Sequence, residues 1–203
     1  MSRCQVNSLG NSHYTLYELP DFMTGPECDE IIRIAQHVGL SPSEVYGAAK
    51  DVVDDGSRKS YTAWIPDGAS PLVRKISVLT SQLTGLPIRN QEDLQVLRYP
   101  DGGFFSPHYD CCEGDENECR RMNGNSGPRC ITLIIYLNDN FEGGETVFPH
   151  LNISIKPQKG KAAVFWSTDE NNVILRDAFH GGSPVSKGEK WICNKWIHIH
   201  PYK

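Results

Sequence analysis

The sequence predicts an α+β fold in which two helices precede eight short strands. Two observations support this prediction: apolar residues recur at helical spacing in the first half, and their period changes to two from about residue 93. Turn signals rich in Gly, Asn and Pro separate the strands at close, regular intervals. Short strands spaced in this way are typical of a double-sheet jelly roll or of a barrel, and the helices would pack on the outside of one sheet.

Both helices have clear sequence boundaries. Thr24 is placed to open the first helix as the N-cap of a capping box with Glu27, and Gly39 can end it. Ser70 opens the second helix, directly before a proline, and Gly85 is its stop. Between the two helices, residues 41–60 are polar and mostly small, which predicts either a lid or a plain surface connection.

The strand-rich second half begins where the alternating pattern begins. The predicted strands are Asp93–Tyr99, Phe104–Asp110, Cys130–Asn138, Glu145–Phe148, Ile153–Lys156, Ala162–Trp166, Val173–Ala178 and Trp191–His200. Neither an internal repeat nor a flexible linker interrupts the chain, so the sequence predicts one domain over residues 1–203. Residues 1–92 are expected to form a mostly helical support, and residues 93–203 the strand-rich core.

Composition restricts the classes of partner. The chain has 203 residues, with 20 basic and 25 acidic side chains and a net charge of −5, which disfavours binding to nucleic acid. No apolar run approaches the roughly 20 residues of a membrane helix, and the N-terminus lacks the apolar segment of a secretory signal. The sequence therefore predicts no membrane partner and a cytoplasmic location, or a secretory one if a targeting segment has been removed. It does not indicate the oligomeric state.

Four of the seven cysteines lie close together in the sequence: Cys111, Cys112, Cys119 and Cys130. None belongs to a CxxC pair, which a structural zinc site would prefer. Disulfide bonds or reduced thiols are therefore favoured over zinc, and the pattern does not choose between them.

A metal site is suggested by His108 and Asp110, because residues two apart on a strand point to the same face. His180, at the predicted end of another strand, could be a third ligand. Two histidines and one carboxylate leave open positions on an iron, as non-haem Fe(II) oxygenases require. An isolated His-x-Asp is equally a common hydrogen-bonded pair. His198 and His200 have the same spacing without a carboxylate and are interpreted as solvated or sheet-lining.

Lys190 strengthens the metal hypothesis. It opens the last predicted strand, ten residues after His180. A lysine that projects into the interior is costly unless an anion neutralises it. A dicarboxylate that chelates iron at one end and meets Lys190 at the other would satisfy both groups. The alternative is a lysine at a strand end that reaches solvent.

Several segments of the second half carry a family resemblance, and they occur in order along the chain. They are LQVLRY (94–99), HYD (108–110), RCITLIIYLN (129–138), GGETVFP (143–149), AVFW (163–166) and HGGSPVSKGEKWICNKW (180–196). In these segments the sequence resembles the catalytic domain of prolyl 4-hydroxylases, which are Fe(II)- and 2-oxoglutarate-dependent dioxygenases. The resemblance covers about 110 of the 203 residues. It implies a double-stranded β-helix (jelly-roll) core.

The resemblance also implies roles for individual residues. His108, Asp110 and His180 match the iron ligands, and Lys190 matches the lysine that pairs with the distal carboxylate of 2-oxoglutarate. Tyr99, Tyr136 and Thr146 are implied to line the pocket for the same cosubstrate. Phe105, Arg129 and Trp196 are implied to contact the substrate. The implied cofactors are Fe(II), 2-oxoglutarate as cosubstrate, O2 and ascorbate.

The implied reaction is hydroxylation of proline at the 4-position in a peptide or protein, with decarboxylation of 2-oxoglutarate to succinate and CO2. The 18-residue loop after Asp110 is longer than in the plant-type members of the family. Two alternatives stay open: the same chemistry on a free amino acid, another residue type or a small metabolite, and a catalytically inactive jelly-roll binding module.

Overall fold

The computed structural model describes residues 6–46, 52–53 and 56–203. Within them the helices are α1 (Gly25–Val38), α2 (Pro71–Thr84) and α3 (Glu116–Asn123), with short 3-10 helices at Ile88–Asn90, Pro149–Leu151 and Arg176–Ala178. The predicted boundaries of the first two helices are confirmed. Thr24 forms the capping box of α1, and Ser70 Oγ accepts a hydrogen bond from the Val73 amide at 3.2 Å. Gly39 and Gly85 follow the two helices directly.

The strands are β1 (Asn7–Ser8), β2 (Leu16–Leu19), β3 (Ser41–Pro42), β4 (Val45–Tyr46), β5 (Val52–Val53), β6 (Tyr61–Ile65), β7 (Leu94–Tyr99), β8 (Phe105–His108), β9 (Arg129–Tyr136), β10 (Glu142–Gly143), β11 (Thr146–Phe148), β12 (Ile153–Ile155), β13 (Ala162–Trp166), β14 (His180–Gly182), β15 (Val185–Lys187) and β16 (Lys190–His198). The larger sheet has the order β1-β2-β13-β9-β16-β7-β6-β3, and the smaller one β12-β11-β14-β8. The strand pairs β10–β15 and β4–β5 lie outside these sheets. Two facing sheets of this kind confirm the jelly roll.

Alternation along the central strands gives the larger sheet two buried faces. One face packs against the helices and contributes side chains such as Val96 and Leu133, which meet Ile31 of α1 and Ile76 of α2. The other face packs against the smaller sheet, and its core includes Leu97, Ile192, Phe148 and Phe165. The helices therefore lie outside one sheet, as predicted, and the space between the two sheets is left for a site.

The expectation that residues 1–92 are mostly helical is wrong. Helices α1 and α2 have 14 residues each, but β2 and β6 from the same region extend the larger sheet by pairing with β13 and β7. The sequence signal for β6 is its content of Tyr, Thr, Trp and Ile, with Ala63 and Ile65 buried on the helix side. Each inner strand of a sheet forms hydrogen bonds along both of its edges. The N-terminal strands β2 and β6 supply these partners for β13 and β7.

The prediction of a strand at Val173–Ala178 is also wrong. The carboxylate of Asp169 accepts hydrogen bonds from the Asn171 and Val173 amides at 2.8 and 2.9 Å, which holds a tight turn, and a 3-10 helix follows. The strand begins only at His180, which therefore starts a strand instead of ending one. Similarly, β8 stops at His108, so Asp110 lies just beyond the strand on which it was expected.

Residues 47–51 and 54–55 lie outside the described part of the chain, and the candidate lid at 41–60 falls partly on them. The described helices are all too short or too polar to cross a lipid bilayer.

Candidate active site

Three side chains converge between the two sheets where β8 and β14 pair. The antiparallel register places His180 directly opposite His108, and Asp110 follows two residues after the end of β8. The nearest Asp110 oxygens lie 3.6 Å from His108 Nε2 and 3.7 Å from His180 Nε2. One ligand atom from each residue can be chosen so that all three lie within 4.8 Å of one another. Cross-strand pairing thus assembles the predicted ligand set from distant segments.

Hydrogen bonds orient all three side chains. The Nδ1 atoms of His108 and His180 lie 2.9 and 3.0 Å from the backbone carbonyls of Ser106 and Ala178. Since a carbonyl can only accept, each Nδ1 carries the proton and each Nε2 lone pair is free toward the cluster. This is the outer hydrogen-bonding arrangement that fixes histidine ligands in metal sites.

A further hydrogen bond orients the carboxylate. Thr132 Oγ1 on β9 donates to Asp110 Oδ2 at 2.6 Å. The sequence reasoning did not find Thr132, although its position on the inward face of a predicted strand is a signal that could have found it.

The charges of the cluster suit a divalent cation. Burial alone would raise the pKa of Asp110, but the His180 and His108 imidazoles outweigh burial and hold it far below its usual value. Burial lowers the pKa of His180 to about 4, although Asp110 acts in the opposite direction. At neutral pH the site therefore offers a neutral imidazole from His180 and an ionised carboxylate from Asp110, so its net charge is negative. Two histidines and one carboxylate are the donor set of non-haem Fe(II) oxygenases, so these residues fit that metal.

Lys190 lies in the same interior, and only 2% of it is exposed. Its ammonium donates to the Gly144 carbonyl at 2.7 Å, and the ion pairs of the described residues include no carboxylate partner for it. A Cβ on Gly182, two residues after His180, would come within 3.8 Å of Lys190 Nζ. Burial lowers the pKa of Lys190 to about 8, with Glu145 acting in the opposite direction. A buried cation of this kind is suited to an anionic ligand.

The structure brings the other residues expected to bind the cosubstrate to Lys190. Its Nζ lies 5.1 Å from the ring centre of Tyr99 and 6.0 Å from that of Tyr136. Tyr136 donates a hydrogen bond to Thr146 Oγ1 at 2.7 Å. Burial raises the pKa of Tyr99, whose hydroxyl also interacts with Arg58. Burial likewise raises the pKa of Tyr136, so both tyrosine hydroxyls are protonated near neutral pH. Because the Tyr136 proton goes to Thr146, the Thr146 hydroxyl is the one of this pair left to donate to a ligand.

The residues expected to contact the substrate form two separate contacts, one at His108 and one around Trp196. Phe105 stacks on the His108 ring at 3.7 Å between ring centres. The Arg129 guanidinium lies 3.6 Å from the centre of the Trp196 ring. It also forms an ion pair with Glu92 at 2.5 Å.

Glu92 and His198 extend the cluster around Arg129 and Trp196. The sequence analysis missed Glu92 and left the role of His198 open. Glu92 also pairs with His198 Nε2 at 2.8 Å, and His198 is buried, which excludes the solvated interpretation and agrees with the sheet-lining one. Burial would raise the pKa of Glu92, but His198 and Arg129 together lower it. Glu92 gave no signal in the sequence because its two partners are far away in the chain.

The structure resolves the alternatives for the cysteine-rich loop. Cys112 and Cys119 form a disulfide bond, which connects the segment after Asp110 to helix α3. Cys111 and Cys130 are free and buried. Burial raises the pKa of both thiols, that of Cys111 to about 12 and that of Cys130 to about 11.

Comparison with known proteins identifies the family to which the chain is similar. Residues 94–198 match the model of the 2OG-Fe(II) oxygenase superfamily. Prolyl 4-hydroxylase 5 of Arabidopsis thaliana is 32% identical, over 90% of this chain and 68% of the relative. The viral collagen prolyl hydroxylase vCPH of Paramecium bursaria Chlorella virus-1, solved as a 2OG complex, is 32% identical with a TM-score of 0.74, over 90% of this chain and 95% of that one.

The chain belongs to the prolyl 4-hydroxylase family. Members of this superfamily are 2-oxoglutarate- and Fe(II)-dependent dioxygenases, so the implied enzyme class, iron and cosubstrate are confirmed for the chain. The alpha-1 subunit of prolyl 4-hydroxylase from Rattus norvegicus, 39% identical, matches over 70% of this chain but over only 26% of its own length. The similarity to that subunit therefore concerns one region of a longer protein.

The Thr132 hydrogen bond leads to a first prediction. Thr132→Val keeps the side-chain volume but removes the donor to Asp110, so we expect metal affinity to fall about 10-fold or more, as for other partners of ligand carboxylates. Titration with Mn(II), followed by electron paramagnetic resonance, measures the affinity directly. Thr132→Ser, which keeps the hydroxyl group, is the matched control. Unchanged affinity in the valine variant would show that this hydrogen bond does not orient the ligand.

Proposed function

We propose that the protein hydroxylates proline at the 4-position in a peptide or protein, with Fe(II) held by His108, Asp110 and His180. The observation that carries the chemistry is a two-histidine, one-carboxylate cluster in the same interior as a buried lysine that has no carboxylate partner among the described residues. The choice of proline is supported by relatives that bear the names prolyl 4-hydroxylase and collagen prolyl hydroxylase.

The reaction consumes one molecule each of 2-oxoglutarate and O2. One oxygen atom enters succinate, the other enters the hydroxyl group of the product, and CO2 is released. Bound Fe(II) supplies the activation of O2. Lys190 provides a positive charge for the distal carboxylate, and among the described residues the Gly144 carbonyl is the one acceptor for its three donors. Thr146, oriented by the hydrogen bond from Tyr136, donates its own hydroxyl proton to the same carboxylate, so the keto acid is held in one orientation.

The Arg129–Trp196 pair is proposed to meet the peptide. Glu92 and His198 hold the Arg129 guanidinium over the indole ring, so this surface is rigid before substrate arrives. Phe105, stacked on His108, adds an aromatic wall on the metal side. We further propose that residues 1–203 form one domain, because β6 of the N-terminal part pairs with β7 of the core.

The test is reconstitution with Fe(II), 2-oxoglutarate and ascorbate, where ascorbate is proposed to keep the metal reduced. Succinate and the peptide mass are then measured with and without proline-rich peptides. We expect peptide-stimulated succinate, a mass gain of one oxygen, and 4-hydroxyproline on amino-acid analysis. Omitting ascorbate should shorten the period of linear turnover.

Other results would select among the alternatives. Succinate that peptides do not stimulate would keep the dioxygenase chemistry and discard the peptide substrate in favour of a small molecule. A protein that binds iron and 2-oxoglutarate but produces no succinate with any substrate would be an inactive binding module.

The pKa of Lys190 leads to a second prediction. In the free protein burial lowers this pKa to about 8, so the ammonium form is lost as the pH rises through that value. A carboxylate favours the ammonium form, so binding of 2-oxoglutarate raises the pKa and takes up a proton above pH 8. We expect the Kd for 2-oxoglutarate on the Mn(II) protein to be about tenfold weaker at pH 9 than at pH 7.

The matched control ligand is 2-oxopentanoate, which keeps the keto acid end and lacks the distal carboxylate. It reports any effect of pH on the metal and should lose much less affinity over the same range. An identical pH dependence for the two keto acids would remove Lys190 from the distal carboxylate.

A further inference from the structure

We propose that Trp64 forms a second aromatic subsite next to Trp196, and that it binds a residue of a proline-rich peptide outside the reacting position. This inference rests on the proposed function, because the peptide is the substrate of the neighbouring site. It assigns a role to Trp64, an exposed side chain that the chemistry at the metal does not use.

Strand register puts Trp64 on the face of the larger sheet that is turned toward the metal cluster. In the larger sheet, Trp64 of β6 and Asn194 of β16 lie opposite Gln95 from its two sides. Directly paired residues project to one face, and so do residues two apart on a strand, which adds Trp196. Trp196 is in turn paired with Thr132, whose hydroxyl contacts Asp110. A continuous surface therefore runs from the metal ligands to Trp64.

The aromatic rings along this surface differ in exposure. Trp196 is only 5% exposed and lies against the Arg129 guanidinium, whereas Trp64 is 45% exposed. The two indole rings are in contact, with centres 5.9 Å apart and planes tilted by 43°. Arg129, Trp196 and Trp64 thus form a continuous series of contacts that begins in the interior and ends at solvent. Its outer member, Trp64, leaves nearly half of its side chain open to solvent.

Two polar side-chain atoms on this face of β16 lack hydrogen-bond partners among the described residues. Among the described residues, Trp196 Nε1 and Asn194 Oδ1 are both buried without a hydrogen bond. Buried polar groups are nearly always hydrogen-bonded, so a donor and an acceptor without partners mark a surface that is incomplete without a ligand. A peptide backbone offers both carbonyl oxygens and amide hydrogens. Both atoms are closed off from solvent in the ligand-free protein, so a peptide carbonyl or amide reaches Trp196 Nε1 or Asn194 Oδ1 only when these side chains shift on binding.

The chemistry of proline fits an indole surface. Proline-rich segments adopt the polyproline II conformation and dock on aromatic side chains in several recognition domains. This conformation rises about 3.1 Å per residue, so the 5.9 Å between the two rings corresponds to about two residues. Trp64 would therefore contact a residue two or more positions from the one at Trp196. The enzyme would favour substrates with several prolines over a single proline in an unrelated sequence.

The test compares wild type and Trp64→Ala with a ten-residue proline-rich peptide and with a three-residue peptide centred on proline. Binding is measured on the Mn(II) protein with a non-reactive 2-oxoglutarate analogue, and kcat and KM are measured on the iron enzyme. We expect the alanine variant to raise Kd and KM for the long peptide about tenfold. The values for the short peptide and uncoupled decarboxylation of 2-oxoglutarate should stay within about twofold of wild type.

Two further variants make the result specific. Trp64→Phe keeps an aromatic face and should lose no more than about threefold on the long peptide. Val173→Ala removes another exposed apolar side chain, 60% exposed on a distant loop, and should have no effect. Equal losses for both peptide lengths, or no loss for either, would overturn the subsite.

The outcome for the wild type separates this inference from the proposed function. Length-dependent binding that Trp64→Ala weakens, without hydroxylation of the peptide, would keep the subsite while the proposed reaction fails. Wild-type protein that binds no proline-rich peptide would overturn the subsite, whatever small molecule it oxidises.

Discussion

Replacing His180 by alanine is expected to abolish turnover. His180 is 95% buried, its Nδ1 is held by a backbone carbonyl and its Nε2 faces Asp110. Within the described residues no further histidine, cysteine or carboxylate joins this cluster to replace it as a ligand. The loss of metal affinity should exceed the about 100-fold that loss of an outer hydrogen-bond partner costs such sites. Mn(II) titration and succinate production measure the two consequences separately. The measurements are made on the purified variant after its folding has been checked by circular dichroism.

The matched control is His37→Ala, since His37 is an exposed histidine in the last turn of α1, on the outside of the larger sheet. It should bind metal and turn over like wild type. His180→Ala also removes a ring that packs against Phe148 and Phe165, so some loss of thermal stability is expected. Wild-type metal affinity and activity in a folded His180 variant would disprove the assignment of this ligand.

Replacing Lys190 is expected to remove the preference for a dicarboxylate. Hydrogen bonds to charged groups contribute about 1.5–3 kcal/mol, so Lys190→Met should raise the KM for 2-oxoglutarate about 10- to 150-fold. Wild type should prefer 2-oxoglutarate strongly over 2-oxopentanoate, and the methionine variant should treat the two keto acids alike. Such a comparison of two proteins with two ligands isolates the interaction between the ammonium and the distal carboxylate.

Thermal unfolding supplies the control for Lys190. Because burial lowers the pKa of this lysine in the folded state, its charge destabilises the ligand-free protein at neutral pH, below that pKa. Lys190→Met should therefore melt at the wild-type temperature or above it, which shows that a loss of affinity is not a loss of folding. A variant that loses affinity equally for both keto acids would place the distal anchor elsewhere.

Local sequence patterns predicted much of the fold. Capping residues and helical periodicity located α1 and α2, and alternation located most strands of the second half to within one or two residues. The failures share a cause. A short run such as Leu16–Leu19 is a strand only because an exposed edge of β13 lies beside it. Val173–Ala178, whose pattern suited a strand, is drawn instead into the turn held by Asp169.

Roles that depend on a partner distant in the chain were harder to predict. His108, Asp110, His180 and Lys190 stand in recognisable motifs, so their convergence could be expected. Glu92 stands in no such motif, and its role exists only because β16 and β9 bring His198 and Arg129 to it.

The sequence alone determined the helices, most of the core strands and the residue types of the proposed metal and cosubstrate site, because these follow from local periodicity, capping and short motifs. Which long-range pairs form depends on the tertiary structure. Register across β6, β7 and β16 chose the face that Trp64 shares with Trp196, and proximity paired Cys112 with Cys119 rather than with Cys111 or Cys130. A strand carries the same alternation whichever neighbour it pairs with, so register depends on contacts that no local segment contains.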